Sequence, residues 1–180
     1  LHGMDLPTNV YPLFAQALRK EEKKTATTHL DECSALFSEF SKIASKNPYS
    51  WFPSYRSAAE IAEETTNNRM VGFPYTKYLN SVIRVNMASA FILMSQGKAD
   101  ELNVAENKRV YVHGCSILND IWNVTERPNF HSSPAIKTCV NQSLDQAEIS
   151  LSDIKHFDLY SCFPSACLLY TSPSPRDPTK

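Results

Sequence analysis

One hundred and eighty residues, 42% of them hydrophobic and 21% charged, fall in the range of folded water-soluble domains and outside that of disordered chains. A formal net charge of -1 excludes nucleic acid as an expected partner, because the one dense charge cluster, Arg19 to Lys24, mixes both signs and offers no basic surface to a phosphate backbone. Apolar runs such as Ala88 to Met94 are too short to span a bilayer, and the five cysteines, without CxxC spacing, fit a reducing cytosol or organelle matrix, peroxisome or mitochondrion included, better than a disulfide framework or a zinc site.

In chain order, Pro12 stands at a helix-start position, with Leu13, Phe14, Ala17 and Leu18 on one face, and predicts a short helix ending in the charge cluster. Thr28 as N-cap, with Asp31 three residues on, opens a longer helix carrying Leu30, Cys33, Phe37, Phe40 and Ala44 at helical spacing until Asn47-Pro48 stops it. Ser57 and Glu60 form a capping-box pattern that opens a short helix through Ala62. From Asn67 the texture changes. Arg69 to Tyr75 reads as a bent, extended stretch punctuated by Gly72 and Pro74.

Ser89 to Ser95 has the length and bulk of a buried strand bounded by Gln96-Gly97. A short helix over Ala99 to Leu102 leads to a strand over Arg109 to His113. Ser133 as N-cap and Pro134 at the first helical position predict a helix with Ile136, Val140, Leu144 and Ala147 on one face. A strand over His156 to Tyr160 follows it. Strand, helix, strand implies a right-handed parallel crossover in an α/β sheet, and ligands bind beyond the carboxyl ends of such strands, where Tyr160-Ser161-Cys162-Phe163 falls.

The C-terminal residues break the pattern. Thr171 to Lys180 contains Pro173, Pro175 and Pro178 and no apolar side chain able to join a core. The run Leu168 to Asp177 resembles a translated sequencing adapter, so residues 167–180 are expected to be a foreign tail.

Five stretches in order carry a family resemblance: Val10-Tyr11-Pro12-Leu13-Phe14, Asn47-Pro48-Tyr49-Ser50-Trp51-Phe52, Asn68-Arg69-Met70-Val71-Gly72-Phe73-Pro74-Tyr75-Thr76-Lys77, Ser132-Ser133-Pro134-Ala135-Ile136, and Asp158-Leu159-Tyr160-Ser161-Cys162-Phe163-Pro164-Ser165-Ala166. Together they resemble the thiolase superfamily, particularly thiolase-like acetyl-CoA acetyltransferases related to the sterol-carrier-type thiolases, from about Asn9 to Ala166. The resemblance implies an internal fragment of a thiolase-like α/β fold. Residues 1–66 would be the helical loop region, 67–105 the end of the N-terminal half, and 106–166 the start of the C-terminal half. Such a fragment, lacking part of each half, is expected to be inactive by itself.

The family moves an acyl group between a cysteine thioester and coenzyme A or a second acyl-CoA. Its nucleophilic Cys would lie before this chain, and its His and second Cys motifs after it. The implied substrate is an acyl-CoA. Coenzyme A enters as substrate, no covalently bound cofactor or metal is expected, and a homo-oligomer is expected for the intact protein. Thiolases carry Asn-Glu-Ala-Phe after the crossover strand, and sterol-carrier-type members His-Asp-Cys-Phe. Here Tyr160 replaces the Asn or His, Ser161 replaces the acid, and Cys162 and Phe163 match. A second departure is Asn86-Met87-Ala88, where relatives carry an Asp-Gln-Gly-like turn.

Tyr160, Ser161 and Cys162 are therefore the candidate catalytic residues. A phenol can donate to an oxyanion and can also act as a general acid. Cys162 is read as a residue lining the site in preference to an acyl carrier. His113, Asp120, Trp122, Ser133 and Phe163 are candidate substrate-binding residues. Ser133 is also the simplest cap for its helix, and His113 with Cys115 supplies only two potential metal ligands. A thiolase-fold retro-aldolase acting on CoA thioesters, with Tyr160 as acid or base, is the alternative reading. A non-catalytic lipid-binding subunit is the third.

Overall fold

The structure, a computed structural model, describes residues 4–171, the last two by their backbone alone. Helix α1 spans Pro7–Glu21, α2 Ala26–Ala44 and α3 Ala58–Ala62. Strands β1 (Met70–Gly72) and β2 (Tyr75–Thr76) form an antiparallel hairpin, followed by α4 (Gln96–Glu101), α5 (Pro134–Ala147) and α6 (Pro164–Thr171).

Helix α1 starts earlier than Pro12 suggests. Pro7 occupies its first turn and Pro12 lies inside it. A proline there cannot donate to the carbonyl one turn back, which belongs to Thr8. Gly72 of β1 approaches this same place: a Cβ on it would meet the Thr8 carbonyl oxygen at 2.7 Å and Pro12 Cγ at 3.2 Å. Glycine at 72 therefore lets the hairpin lie directly on α1.

Helix α2 is capped by Thr25, three residues before the expected Thr28. The Thr25 hydroxyl oxygen accepts from the Thr28 backbone N–H at 3.1 Å. The Ser57–Glu60 capping box forms as the sequence predicts, with the Glu60 carboxylate accepting from the Ser57 N–H at 2.7 Å. Asn68, fully buried, joins α3 to the hairpin. Its amide donates to the Ile61 and Glu63 carbonyls at 3.0 and 2.8 Å, and its oxygen accepts from the Tyr78 N–H at 2.9 Å. Thr76 adds a second tie, its hydroxyl donating to the Ile61 carbonyl at 2.7 Å.

The core gathers Ala15 of α1, Cys33 of α2, Ile61 of α3, Tyr75 of β2, Leu79 and Phe163, with Tyr11, Leu30, Phe37 and Leu168 packed against them. Alternating helices and strands were expected around it. The structure supplies instead a helix-rich α/β arrangement with one two-stranded sheet among the described residues.

Three expected strands are absent. Ser89 to Ser95, Arg109 to His113 and His156 to Tyr160 are assigned to no strand, and the first exposes Phe91, Ile92 and Leu93. A strand exists through the ladder it shares with a neighbour, and no described segment shares one with these. The parallel crossover thus reduces to its helix, α5, which forms with the expected Ser133 cap and Pro134 start. Its packing onto the segment before it survives. The Cys115 N–H donates to the Gln146 side-chain oxygen at 3.0 Å, and Ser116 donates to that of Gln142 at 2.6 Å. A Cβ on Gly114 would collide with the Ser143 carbonyl oxygen.

Helix α6 crosses the junction expected at residue 167, and Cys167 in it is buried. The remainder of the expected tail, 172–180, lies outside the described residues.

Candidate functional site

Tyr160-Ser161-Cys162-Phe163 leads directly into α6, in irregular backbone and not at the end of a paired strand. Phe163 turns inward. Its ring stacks on Tyr11 of α1 with centroids 4.3 Å apart and planes 12° from parallel, and it lies 6.0 Å from the ring of Tyr75. It is a core anchor, buried to 4% exposure, and not a free surface for substrate.

Two further contacts pin the motif. The Tyr75 hydroxyl accepts from the Ser165 backbone N–H at 3.1 Å, satisfying a donor that the first turn of a helix leaves without an intrahelical partner. The Ser81 N–H donates to the Cys162 carbonyl at 3.3 Å. Burial drives the Tyr75 phenol far above its ordinary range, so it stays neutral.

Tyr160 faces outward from this anchor, whereas Cys162 is half-buried and packs against the core. The Cys162 thiol lies 3.2 Å from the Tyr160 hydroxyl and donates to it, while Tyr160 is 78% exposed. Its interaction with the Cys162 sulfur, where negative charge would oppose a phenolate, raises the phenol above its usual range, so Tyr160 is neutral at physiological pH. Ser161 is committed locally, its hydroxyl donating to the Phe163 carbonyl.

A second group forms at the N-terminus of α5. Asp120 accepts from the Ser133 hydroxyl at 2.6 Å, from Arg127 at 2.9 Å and from the Ile121 N–H at 2.8 Å. Burial pushes its carboxyl upward, but the bonds from Ser133, Ile121 and Arg127 outweigh that and hold it below the usual carboxylate range. Ser133 also accepts from the Ile136 N–H at 3.4 Å, so its proton and its lone pair are both engaged. It is a cap and a clamp on Asp120.

Arg127 is the residue that sequence reading missed. Its side chain is only 8% exposed and packs over Phe14, with the guanidinium carbon 5.3 Å from the ring centre. It also donates to the Ser132 carbonyl at 3.2 Å, yet its buried Nε has no hydrogen-bond partner. An unmet buried donor costs about 1–3 kcal/mol. A single arginine in a polar loop gives no periodic or motif signal; only the fold shows it walled in by Phe14.

The structure therefore joins Asp120 to Ser133, and Tyr160 to Cys162. It leaves His113 and Trp122 apart, both exposed, Trp122 to 86%. A groove of about 270 Å³ is bounded by α1, α5 and α6 and lined by Asp120, Arg127 and Ser133 at one side.

A helical first part, a hairpin laid on α1, and a motif held at the entry to α6 define a thiolase-like α/β segment. Among solved structures the chain is similar to a monomeric SCP2-thiolase-like protein type 1 from Mycobacterium smegmatis, at 33% identity over 93% of this chain with a TM-score of 0.79. It is thus related to the sterol-carrier-type thiolase-like proteins. The chain spans 37% of the length of that neighbour. No protein-family model matches it, and neither does any curated protein. The neighbour is described as monomeric and lends no support to the expected homo-oligomer. Among the described residues, no helix is long and apolar enough to cross a membrane.

Proposed function

We propose that this chain is part of a thiolase-type acyltransferase, which moves an acyl group between a cysteine thioester and coenzyme A or a second acyl-CoA. The observation that carries this reading is the division of labour within one tetrapeptide. Phe163 is locked into the core by Tyr11, while Tyr160, held by the thiol of the half-buried Cys162, is presented to solvent near the entry to α6.

In acyl transfer a thiolate attacks the thioester carbonyl, negative charge builds on its oxygen, and the departing C–S bond breaks as the new thioester forms. Tyr160, neutral and exposed, is suited to donate a hydrogen bond to that oxygen. The nucleophile and the histidine that activates the incoming thiol would come from family motifs outside these 180 residues.

A retro-aldolase reading is favoured by the exposed phenol of Tyr160, which could return a proton to the carbon released in a C–C cleavage without any cysteine nucleophile. One experiment separates the two. The protein carrying this chain is incubated with acetoacetyl-CoA and free CoA, and separately with a 3-hydroxyacyl-CoA alone, with products resolved by mass spectrometry. Acetyl-CoA formed only when CoA is present supports transfer. Cleavage of the hydroxyacyl substrate without CoA supports the lyase, and silence in both arms leaves a binding protein.

A further inference from the structure

Between α2 and α3, residues 45–57 form an irregular loop whose base is tied to α2. The Ser38 hydroxyl donates to the Arg56 carbonyl at 2.8 Å, and the Arg56 N–H donates to the Ser41 hydroxyl oxygen at 3.0 Å. The Arg56 guanidinium lies over the Tyr78 ring, 4.0 Å from its centre. At the start of the loop, Asn47 accepts the Tyr49 N–H on its side-chain oxygen at 3.0 Å and the Ser50 N–H on its carbonyl at 3.1 Å. A base closed in this way holds the residues between as a compact surface loop.

That loop carries Tyr49, Trp51, Phe52 and Tyr55, each more than half exposed and Tyr49 to 89%. From Phe40 to Arg56 the sequence contains no acidic residue and three basic ones, Lys42, Lys46 and Arg56. Arg56 is spent on Tyr78, Lys42 is shared with the exposed Glu39 at 3.4 Å, and Lys46 is exposed. Pro48 and Pro53 set this loop apart from the exposed run Phe91-Ile92-Leu93. A proline has no N–H to give a ladder, so a missing strand neighbour does not account for the exposed rings.

We propose that this loop docks the protein on the surface of an anionic lipid bilayer, with the four aromatic rings entering the headgroup region and Lys42 and Lys46 facing the lipid charges. Tyrosine and tryptophan suit that boundary because each joins an apolar ring to a polar tip. Basic side chains beside them are drawn to the negative potential of the leaflet, and no acid within the segment opposes them. A protein partner fits less well, because protein interfaces are depleted in lysine and meet charge with both signs at their rims. The contact is peripheral, since a loop of this size reaches the headgroups and does not span. It is independent of the reaction proposed above.

The test uses the 180-residue chain with Trp122→Phe, which leaves Trp51 as its one indole. Vesicles of seven parts phosphatidylcholine to three parts phosphatidylserine are titrated in, and vesicles of phosphatidylcholine alone serve for comparison. With the anionic vesicles, Trp51 emission is expected to move to shorter wavelength and to be quenched by lipids brominated high in the acyl chain. In flotation assays, Trp51→Ala with Phe52→Ala is expected to weaken partitioning about tenfold or more. Lys46→Gln is expected to weaken it about fivefold. Ile92→Ala with Leu93→Ala, exposed aliphatic side chains outside the loop, is expected to leave it unchanged. Tyr49→Ser with Tyr55→Ser serves if circular dichroism shows the first loop variant unfolded. An unshifted Trp51, partitioning that survives a folded loop variant, or an equal loss in the Ile92 and Leu93 variant overturns the proposal. Equal binding to the neutral vesicles overturns the anionic assignment. Loop-dependent self-association in sedimentation without vesicle binding overturns the proposal in favour of a protein interface.

Discussion

The Tyr75 hydroxyl, brought in by the hairpin, accepts a hydrogen bond from the backbone N–H of Ser165, ninety positions along the chain, at 3.1 Å. Both residues are buried, Tyr75 to 1% exposure. One phenol thereby caps α6 and ties the hairpin to the segment that carries Tyr160 and Cys162. Tyr75→Phe keeps the ring and deletes the acceptor, so stability should fall by about 1–2 kcal/mol. The check is urea unfolding with a lowered midpoint and an unchanged slope.

Asn68 satisfies the C-terminal carbonyls of α3 and the Tyr78 N–H with one side chain. Asn68→Ala should cost about 2–4 kcal/mol, because several buried polar groups lose their partner at once. Thr76→Val, which removes one tie to Ile61, should cost about 1 kcal/mol. Thermal unfolding of both variants is expected to preserve that order.

Two groups make stability depend on pH in the same direction. His29 is fully buried and its imidazole is pushed below its usual range by desolvation, with Glu22 and Glu32 opposing and Lys24 and Arg19 assisting. A histidine kept neutral by folding binds fewer protons than in the unfolded chain, so its contribution is full above about pH 6.5 and drains as pH falls below it. Asp120, held low by Ser133, Ile121 and Arg127 against its desolvation, contributes above about pH 3.9 and loses that contribution in stronger acid. Denaturant midpoints measured from pH 7 to pH 3 should decline in two stages. His29→Gln should flatten the upper stage and Asp120→Asn the lower.

Cys33 sits 3.7 Å from His29 on the same face of α2, fully buried, and desolvation pushes its thiol up to about 12. It should resist iodoacetamide at pH 8, where thiolate is required for attack. Cys115, which is exposed, should be modified first. Peptide mass mapping after a short pulse distinguishes the two.

The helices were legible because their signals are local. The Ser57–Glu60 box and the Ser133-Pro134 start depend on residues within one turn, and both form as read. The cap of α2 moved from Thr28 to Thr25 because two threonines three residues apart offer the same chemistry, and only the backbone decides which one leaves the helix. Strands were misread for a different reason. Apolar runs at 89–95, 109–113 and 156–160 have the composition of strands, but a ladder is a relation between segments, and these have no partner among the described residues.

Of the candidate site, adjacency in sequence was enough to group Tyr160, Ser161 and Cys162. The Asp120–Ser133 bond spans a loop, and Arg127 acquires meaning only through Phe14 of α1. Phe163, read as a substrate contact, is a core anchor, because its partner Tyr11 lies in the first helix.

The most direct measurement is CoA-dependent cleavage of acetoacetyl-CoA by the protein carrying this chain, compared with its Tyr160→Phe variant. The account predicts turnover in the parent and a fall of about 10²–10³-fold in kcat on loss of the phenol, the size expected for removing one oxyanion donor, with unfolding midpoints unchanged. Undiminished kcat in a folded Tyr160→Phe protein would contradict it.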